Sequence, residues 1–371
     1  MKAWLVLAGT LLIAACSKQS APLYLPEGDK YPLTLSEWGM LQLGGGHLQP
    51  VAEVTPYDLN TPLFTDYAHK MRTVWMPAGS AASYGEEHFD FPVGTVLSKT
   101  FYYPKDEQGR LRRNSQDDRD ASTGLELERV HLVETRILLK QKNGWVALPY
   151  VWNDKQTEAH LELAGDSQSL NLLDDQGQTL AVDYAVPDAN QCAGCHEESH
   201  GQGINPLGPK ARHLNKDLVY ADGTANQLQH WQQKGLLKGL PAELAGVPQN
   251  ALWGHPRAGE SLEKQARSYL DANCAHCHNP KGPARTSGLM LNLATATGIH
   301  SGLCKQPVAA GKGSGDRLVD IHPGKPDESV LIYRLESTDP SVMMPELGRS
   351  VVHHEGVEVL TRWIASLDGG C

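Results

Sequence analysis

Two stretches, Cys192-Ala193-Gly194-Cys195-His196 and Cys274-Ala275-His276-Cys277-His278, each set two thiols two residues apart with an imidazole directly after them. Thiols at that spacing reach both vinyl groups of one porphyrin as thioethers, and the next residue then lies under the iron, where its imidazole becomes the proximal ligand. The motifs predict two covalently attached haem c groups, one on Cys192 and Cys195 with His196 on the iron, the other on Cys274 and Cys277 with His278. A zinc site made from both pairs and a thioredoxin-like redox pair share the cysteine spacing. Neither accounts for a histidine after each pair, and a redox pair calls for a βαβ setting.

The ligands on the far side of each iron differ. Met343-Met344-Pro345 follows the second motif at a distance similar to that of the distal methionine loop of class I cytochromes c, and Met344, before the proline, is the expected ligand with Met343 as the fallback. A thioether favours ferrous iron, so His/Met ligation raises the potential relative to bis-His. The competing reading is that both methionines fill a core. Between Cys195 and Cys274 there is no methionine. His200, His213, His230 and His255 are the candidates there, with His213 chosen; a residue lent by the preceding β-rich part, or an open position that peroxide could reach, are the alternatives.

The elements that must carry these motifs change character along the chain. Residues 1–15 form a short apolar run after Met1-Lys2, too short to span a bilayer, and read as an export signal. Leu12-Ile13-Ala14-Ala15-Cys16 resembles a bacterial lipoprotein cleavage box, which makes Cys16 a lipid anchor and residues 16–30 a polar tether. Residues 31–186 read as an antiparallel β-rich, sandwich-like domain of short aromatic and β-branched runs. Within it, residues 131–140 and 145–152 flank Asn143-Gly144 as a tight hairpin. Residues 187–258, the first haem segment, and 259–371, the second haem domain, read as two mostly α-helical cytochrome c-type units. In the first, Thr224 to Gln227 has the spacing of a capping box. In the second, Leu262, Ala266, Tyr269 and Leu270 lead into Cys274, and Val357, Leu360, Ile364 and Leu367 mark a closing helix.

The seven cysteines divide into Cys16, the two close pairs, and two singles, Cys304 and Cys371. In an oxidising compartment the singles are expected to pair as a disulfide, the other reading being two buried thiols. Acidic residues outnumber basic ones, 43 to 33, with no basic run, so the composition gives no footprint for nucleic acid.

Asn190-Gln191-Cys192, Gly208-Pro209-Lys210-Ala211-Arg212, Asn226-Gln227-Leu228, the stretch from Asn273 to Pro280, Pro307-Val308-Ala309-Ala310-Gly311 and the stretch from Met343 to Ser350 resemble a family of exported dihaem c-type cytochromes over nearly the whole mature chain. The resemblance implies electron transfer between redox partner proteins, often with a companion exported protein of parallel β-helix type. Ser17 after Cys16 is similar to lipoproteins sorted to the outer membrane, which implies its periplasmic face. Two rival functions remain open at this level: a dihaem peroxidase-like enzyme, and an electron-accepting subunit of a dehydrogenase whose β-rich domain binds a carbohydrate or partner protein, with Trp145, Tyr150 and Trp152 as candidate lining, although alternate aromatics in strands are more often core.

Overall fold

The computed structural model describes residues 23, 25–26, 28–113, 124–197, 203–254, 256–257 and 259–371. The signal segment, Cys16 and most of the tether lie outside them. The first half runs β1 (Leu41–Gly44), β2 (His47–Pro50), β3 (Thr55–Tyr57), β4 (His69–Trp75), β5 (Ala82–Ser83), β6 (Val96–Pro104), β7 (Leu125–Glu126), β8 (Val130–Gln141), β9 (Gly144–Trp152), β10 (Ala159–Leu161), β11 (Asp166–Leu173) and β12 (Thr179–Val186). The second runs α1 (Ala189–His196), α2 (Ala211–Leu214), β13 (Asp217–Tyr220), β14 (Gly223–Asn226), α3 (Gln227–Gln233), β15 (Leu237–Lys238), α4 (Leu262–Asn273), α5 (Val330–Glu336) and α6 (His354–Ala365).

A six-stranded antiparallel sheet in the order β10-β9-β8-β6-β4-β3 organises the molecule. Side chains alternate across a strand, so each strand feeds two faces. Val96, Ile137, Leu148 and Tyr150 pack on one side against Trp38, Leu48 and Leu125, which come from β2, β7 and the turn before β1. Tyr150 serves there as a polar joint, accepting from Trp38 Nε1 at 2.7 Å and donating to Pro32 O at 2.9 Å. The other face carries Val74, Leu97 and Trp145, which share a core with Ala211 and Leu214 of α2 and Leu228 and Trp231 of α3. The parallel pairing of β15 with β5 joins the same parts.

The connection from β3 to β4 ties the sheet to both later parts of the chain. Asn60 Nδ2 donates to Arg212 O at 2.9 Å, Phe64 N to Asn273 Oδ1 at 2.7 Å, and Asp66 Oδ1 accepts from Ser350 N at 2.7 Å. Asp66 and Tyr67 both adopt positive φ, 45° and 63°. That conformation costs energy for non-glycine residues and persists where surrounding contacts fix it, here the bonds of Asp66 to Ser350 and of Tyr67 to Glu355.

The expectation of two mostly α-helical cytochrome units after residue 186 is overturned. Sheets are the dominant class, and among the described residues α1, α2 and α3 have 8, 4 and 7 residues and are interleaved with β13, β14 and β15. The last part has α4, α5 and α6, of 12, 7 and 12 residues, separated by long irregular stretches. Helical periodicity covers only the ends of that part. Between them Gly and Pro recur too often to propagate a helix, and Gly288, Gly302, Gly311, Gly315 and Gly324 all take positive φ.

Two local expectations shift in register. Thr224 pairs with Val219 in the β13/β14 hairpin, so the cap of α3 is Asn226, whose side chain accepts from Leu228 N at 3.0 Å. In the β8/β9 hairpin Gln141 pairs with Gly144, leaving Lys142-Asn143 as the loop and only Gly144 at positive φ, 130°.

Candidate functional site

The first motif sits on α1. Asp188 caps this helix by accepting from Asn190 N and Gln191 N at 2.7 and 2.8 Å, while the Gln191 side chain reaches back to Asp188 N. Cys192 is buried, and α1 lies against β9. One turn on, His196 Nδ1 stands 2.7 Å from Asn205 O, so Nδ1–H donates to the carbonyl and Nε2 keeps a lone pair. Burial, with the charge of Lys99, lowers the imidazole to about 3. It is therefore neutral and competent as a ligand.

His213 on α2 lines the same cavity as Cys192 and His196. It is buried; Nε2 bonds to Asp271 Oδ2 at 3.1 Å, and Nδ1, also buried, has no hydrogen-bond partner among the described residues. A histidine that gives one ring N–H to a carboxylate and leaves the other nitrogen open is oriented as metal-binding histidines are. His230 stacks on Tyr220 with centroids 3.6 Å apart and does not line this cavity, while His200 and His255 lie outside the described residues. The cavity is about 70 Å³, so a ring-sized group enters only if its walls part.

The second motif follows α4, which Ser261 caps by accepting from Lys264 N at 3.1 Å. Cys274, Cys277 and His278 line a cavity of about 350 Å³, within the range of small-molecule and cofactor sites. Its walls include Leu289, Leu291, Ile321 and Leu335. Ser287 Oγ donates to Ala284 O at 2.7 Å and is 3.4 Å from His278 Nδ1, an acceptor that leaves Nε2 for ligation. Met344 lines this cavity, whereas Met343 is buried outside it. The backbone of Met344 is clamped: its N–H donates to Arg334 O at 3.0 Å, and its carbonyl accepts from Arg349 Nη2 at 2.9 Å.

The motifs adjoin. Gly194 and Cys195 line the cavity of the second motif, and Cys277 Sγ is 3.6 Å from Gly194 O. The four motif cysteines form no disulfide, and Cys304 and Cys371 are joined as one. Burial pushes the Cys192 and Cys195 thiols up and Cys274 to about 12, the reverse of a thiol activated for redox exchange. No group of three or more metal-ligating side chains forms among the described residues.

The donor types at each motif suit a c-type haem, with a ready cavity at the second motif and one that must open at the first. The spare ring nitrogen of buried His213 is otherwise unsatisfied, the larger cavity has a thiol pair and imidazole together with a thioether, and cations line the smaller one. Sequence reasoning missed Asp271, Arg349, Ser287 and the lining cations Lys70, Arg72, Lys99 and Arg136. Charged residues at core-facing strand positions were the available signal for the last four. Trp145, Tyr150 and Trp152, strand aromatics that read more readily as core than as a ligand site, are buried core side chains.

No family model, curated protein or solved structure matches the chain. No helix among the described residues is long and apolar enough to cross a membrane.

Proposed function

We propose that the protein is an exported, lipid-anchored dihaem c-type cytochrome that passes electrons between redox partners at the periplasmic face of the outer membrane. The observation that carries this reading is the abutment of the motifs, with Cys277 Sγ 3.6 Å from Gly194 O and Cys195 in the wall of the second cavity. Electron tunnelling weakens steeply with distance, so groups attached at adjoining residues form a relay. A c-type haem supplies one-electron chemistry, its iron cycling between ferric and ferrous states.

The chain's own residues orient and tune. Asn205 O holds the His196 imidazole by Nδ1, and the Leu289 backbone, with Ser287 Oγ 3.4 Å from Nδ1, holds that of His278. Asp271 holds His213 toward the first site, and Arg349 fixes the Met344 backbone at the second. Unlike ligand sets would give the sites unlike potentials, which directs flow. An open peroxide-reactive position at the first site is disfavoured by His213 in the wall of that cavity.

The test is the mass of the denatured, exported protein together with its visible and resonance Raman spectra and a potentiometric titration. Two added haems, both low-spin and at separate potentials, are expected. A chain carrying no added haem after expression with a working maturation system overturns the reading.

A further inference from the structure

On the face of the main sheet that meets α1, three cations stand in one cross-strand row. The register pairs Arg72 of β4 with Lys99 of β6, and Lys99 with Arg136 of β8. Lys70, two positions along β4, lies on the same face, and all four line the cavity that holds Cys192, His196 and His213.

Like charges directly opposite on neighbouring strands are destabilising, and burial makes them more so. The protein offsets only part of this row. Arg136 pairs with buried Glu134 at 2.6 Å. Arg72 pairs with Asp58 at 2.9 Å, but that carboxylate also takes Lys216 at 2.6 Å. Lys99, in the middle, has no carboxylate within ion-pair distance among the described residues and rests its ammonium 5.0 Å from the Phe101 ring centroid. Burial and the charges of Arg136 and Arg72 bring Lys99 down to about 7. A row like this, facing a cavity, is arranged for an anion from outside the chain.

We propose that Lys70, Arg72, Lys99 and Arg136 receive the propionate carboxylates of the haem attached at Cys192 and Cys195, making the β-sheet the anion-binding wall of the first site. This rests on the dihaem reading and extends it, since it gives the β-rich half a direct part in holding the group. The shared chemistry is a pair of carboxylates on a cationic row, and a free dianion such as phosphate or succinate would satisfy it equally well.

The experiment compares four full-length chains: wild type, Lys99→Met, the Cys192→Ala/Cys195→Ala double variant, and the double variant carrying Lys99→Met. Denatured mass first counts haems, two being expected for wild type and one for the double variant. No haem at the first motif of wild type overturns both the dihaem reading and this proposal, whereas every later failure touches this proposal alone.

Thermal unfolding then reads the sign of the Lys99 effect. With the first haem attached, Lys99→Met should lower Tm by removing a partner. Without it, the same change should raise Tm by relieving repulsion. The same sign in both backgrounds overturns the proposal. A second readout does not depend on the double variant folding: in the loaded chain Lys99→Met should lower the potential of one haem and leave the other, and Lys99→Arg should restore it. Shifts in both or in neither overturn the assignment. Added phosphate or succinate should leave the Tm of the loaded wild type unchanged, and a saturable rise would give the row to a free anion instead.

Discussion

His213 Nε2 lies 3.1 Å from Asp271 Oδ2, a bond that joins a histidine between the two motifs to the helix that leads into the second. The same carboxylate accepts from Arg212 Nε at 2.8 Å, Asn250 Nδ2 at 3.2 Å and Leu293 N at 3.0 Å. Burial works to raise the Asp271 carboxyl, but the bond from His213 and the Arg212 guanidinium outweigh it and hold the group far below the usual carboxylate range.

Asp271→Asn should therefore be destabilising, because it removes the buried charge partner of Arg212 and leaves the guanidinium only Glu87, a half-exposed carboxylate at 2.9 Å. Breaking a buried ion pair from one side costs about 3–5 kcal/mol. Urea unfolding checks this, and a loss below about 1 kcal/mol would mean that the existing Glu87 pair and water suffice for Arg212.

His213→Ala should turn one of the two haems from low-spin to high-spin and open it to small ligands, leaving the other unchanged. Resonance Raman spectra and carbon monoxide binding read this directly. If both haems remain low-spin, another group holds the sixth position.

The two methionines separate cleanly. Met344→Ala should lower the potential of one haem only, whereas Met343→Ala should leave both potentials in place and cost about 2–4 kcal/mol of stability as a core truncation. Potentiometry and chemical unfolding of the two variants make the comparison, and a potential shift from Met343→Ala would reverse the assignment.

Glu355 gives a pH signature at the start of α6. Burial alone would raise its carboxyl, but the helix-start backbone, the Tyr67 hydroxyl at 2.8 Å, His353 and Arg113 together hold it below its ordinary value. A carboxyl depressed in the fold contributes stability that is present above its unfolded pKa and is lost as pH falls through the folded one. Wild type should thus be more stable than Glu355→Gln near neutrality, and the gap should close as pH falls below the ordinary carboxylate range. Unfolding midpoints across that range test it; a gap that widens in acid would contradict the sign.

A local motif is easier to read from the chain than its architecture. Thioether attachment needs a fixed local spacing, so the positions of Cys192 to His196 and Cys274 to His278 are readable without a fold. The β8/β9 hairpin and helix α4 were legible too, since each follows from a local period and a turn or cap. The second half is less helical than expected: past Pro187 the chain reads as short helices and long Gly/Pro-containing loops, and the helical periods of its last part, at 262–270 and 357–367, only flank a Gly-rich interval that cannot carry a helix, so the fold class of two mostly α-helical units does not follow from them.

The supporting residues were hidden for a different reason. Asp271 is one acidic side chain among 43 acidic residues, and only the fold brings it against Arg212, His213 and Asn250. The cationic row needs three strands in register before its members become neighbours. One hint did exist: Arg136 shares its parity on β8 with Leu138, which marks a charge on the inward face.

The core shared by Val74, Leu97 and Trp145 with Ala211, Leu214 and Trp231 has a consequence for how such a chain can be remodelled. A fragment cut at Val186 would bare an apolar seam on the sheet and strip Trp231 of its neighbours. The β-rich half and the first motif are thus not interchangeable modules, and grafting either onto another scaffold demands that the seam travel with it.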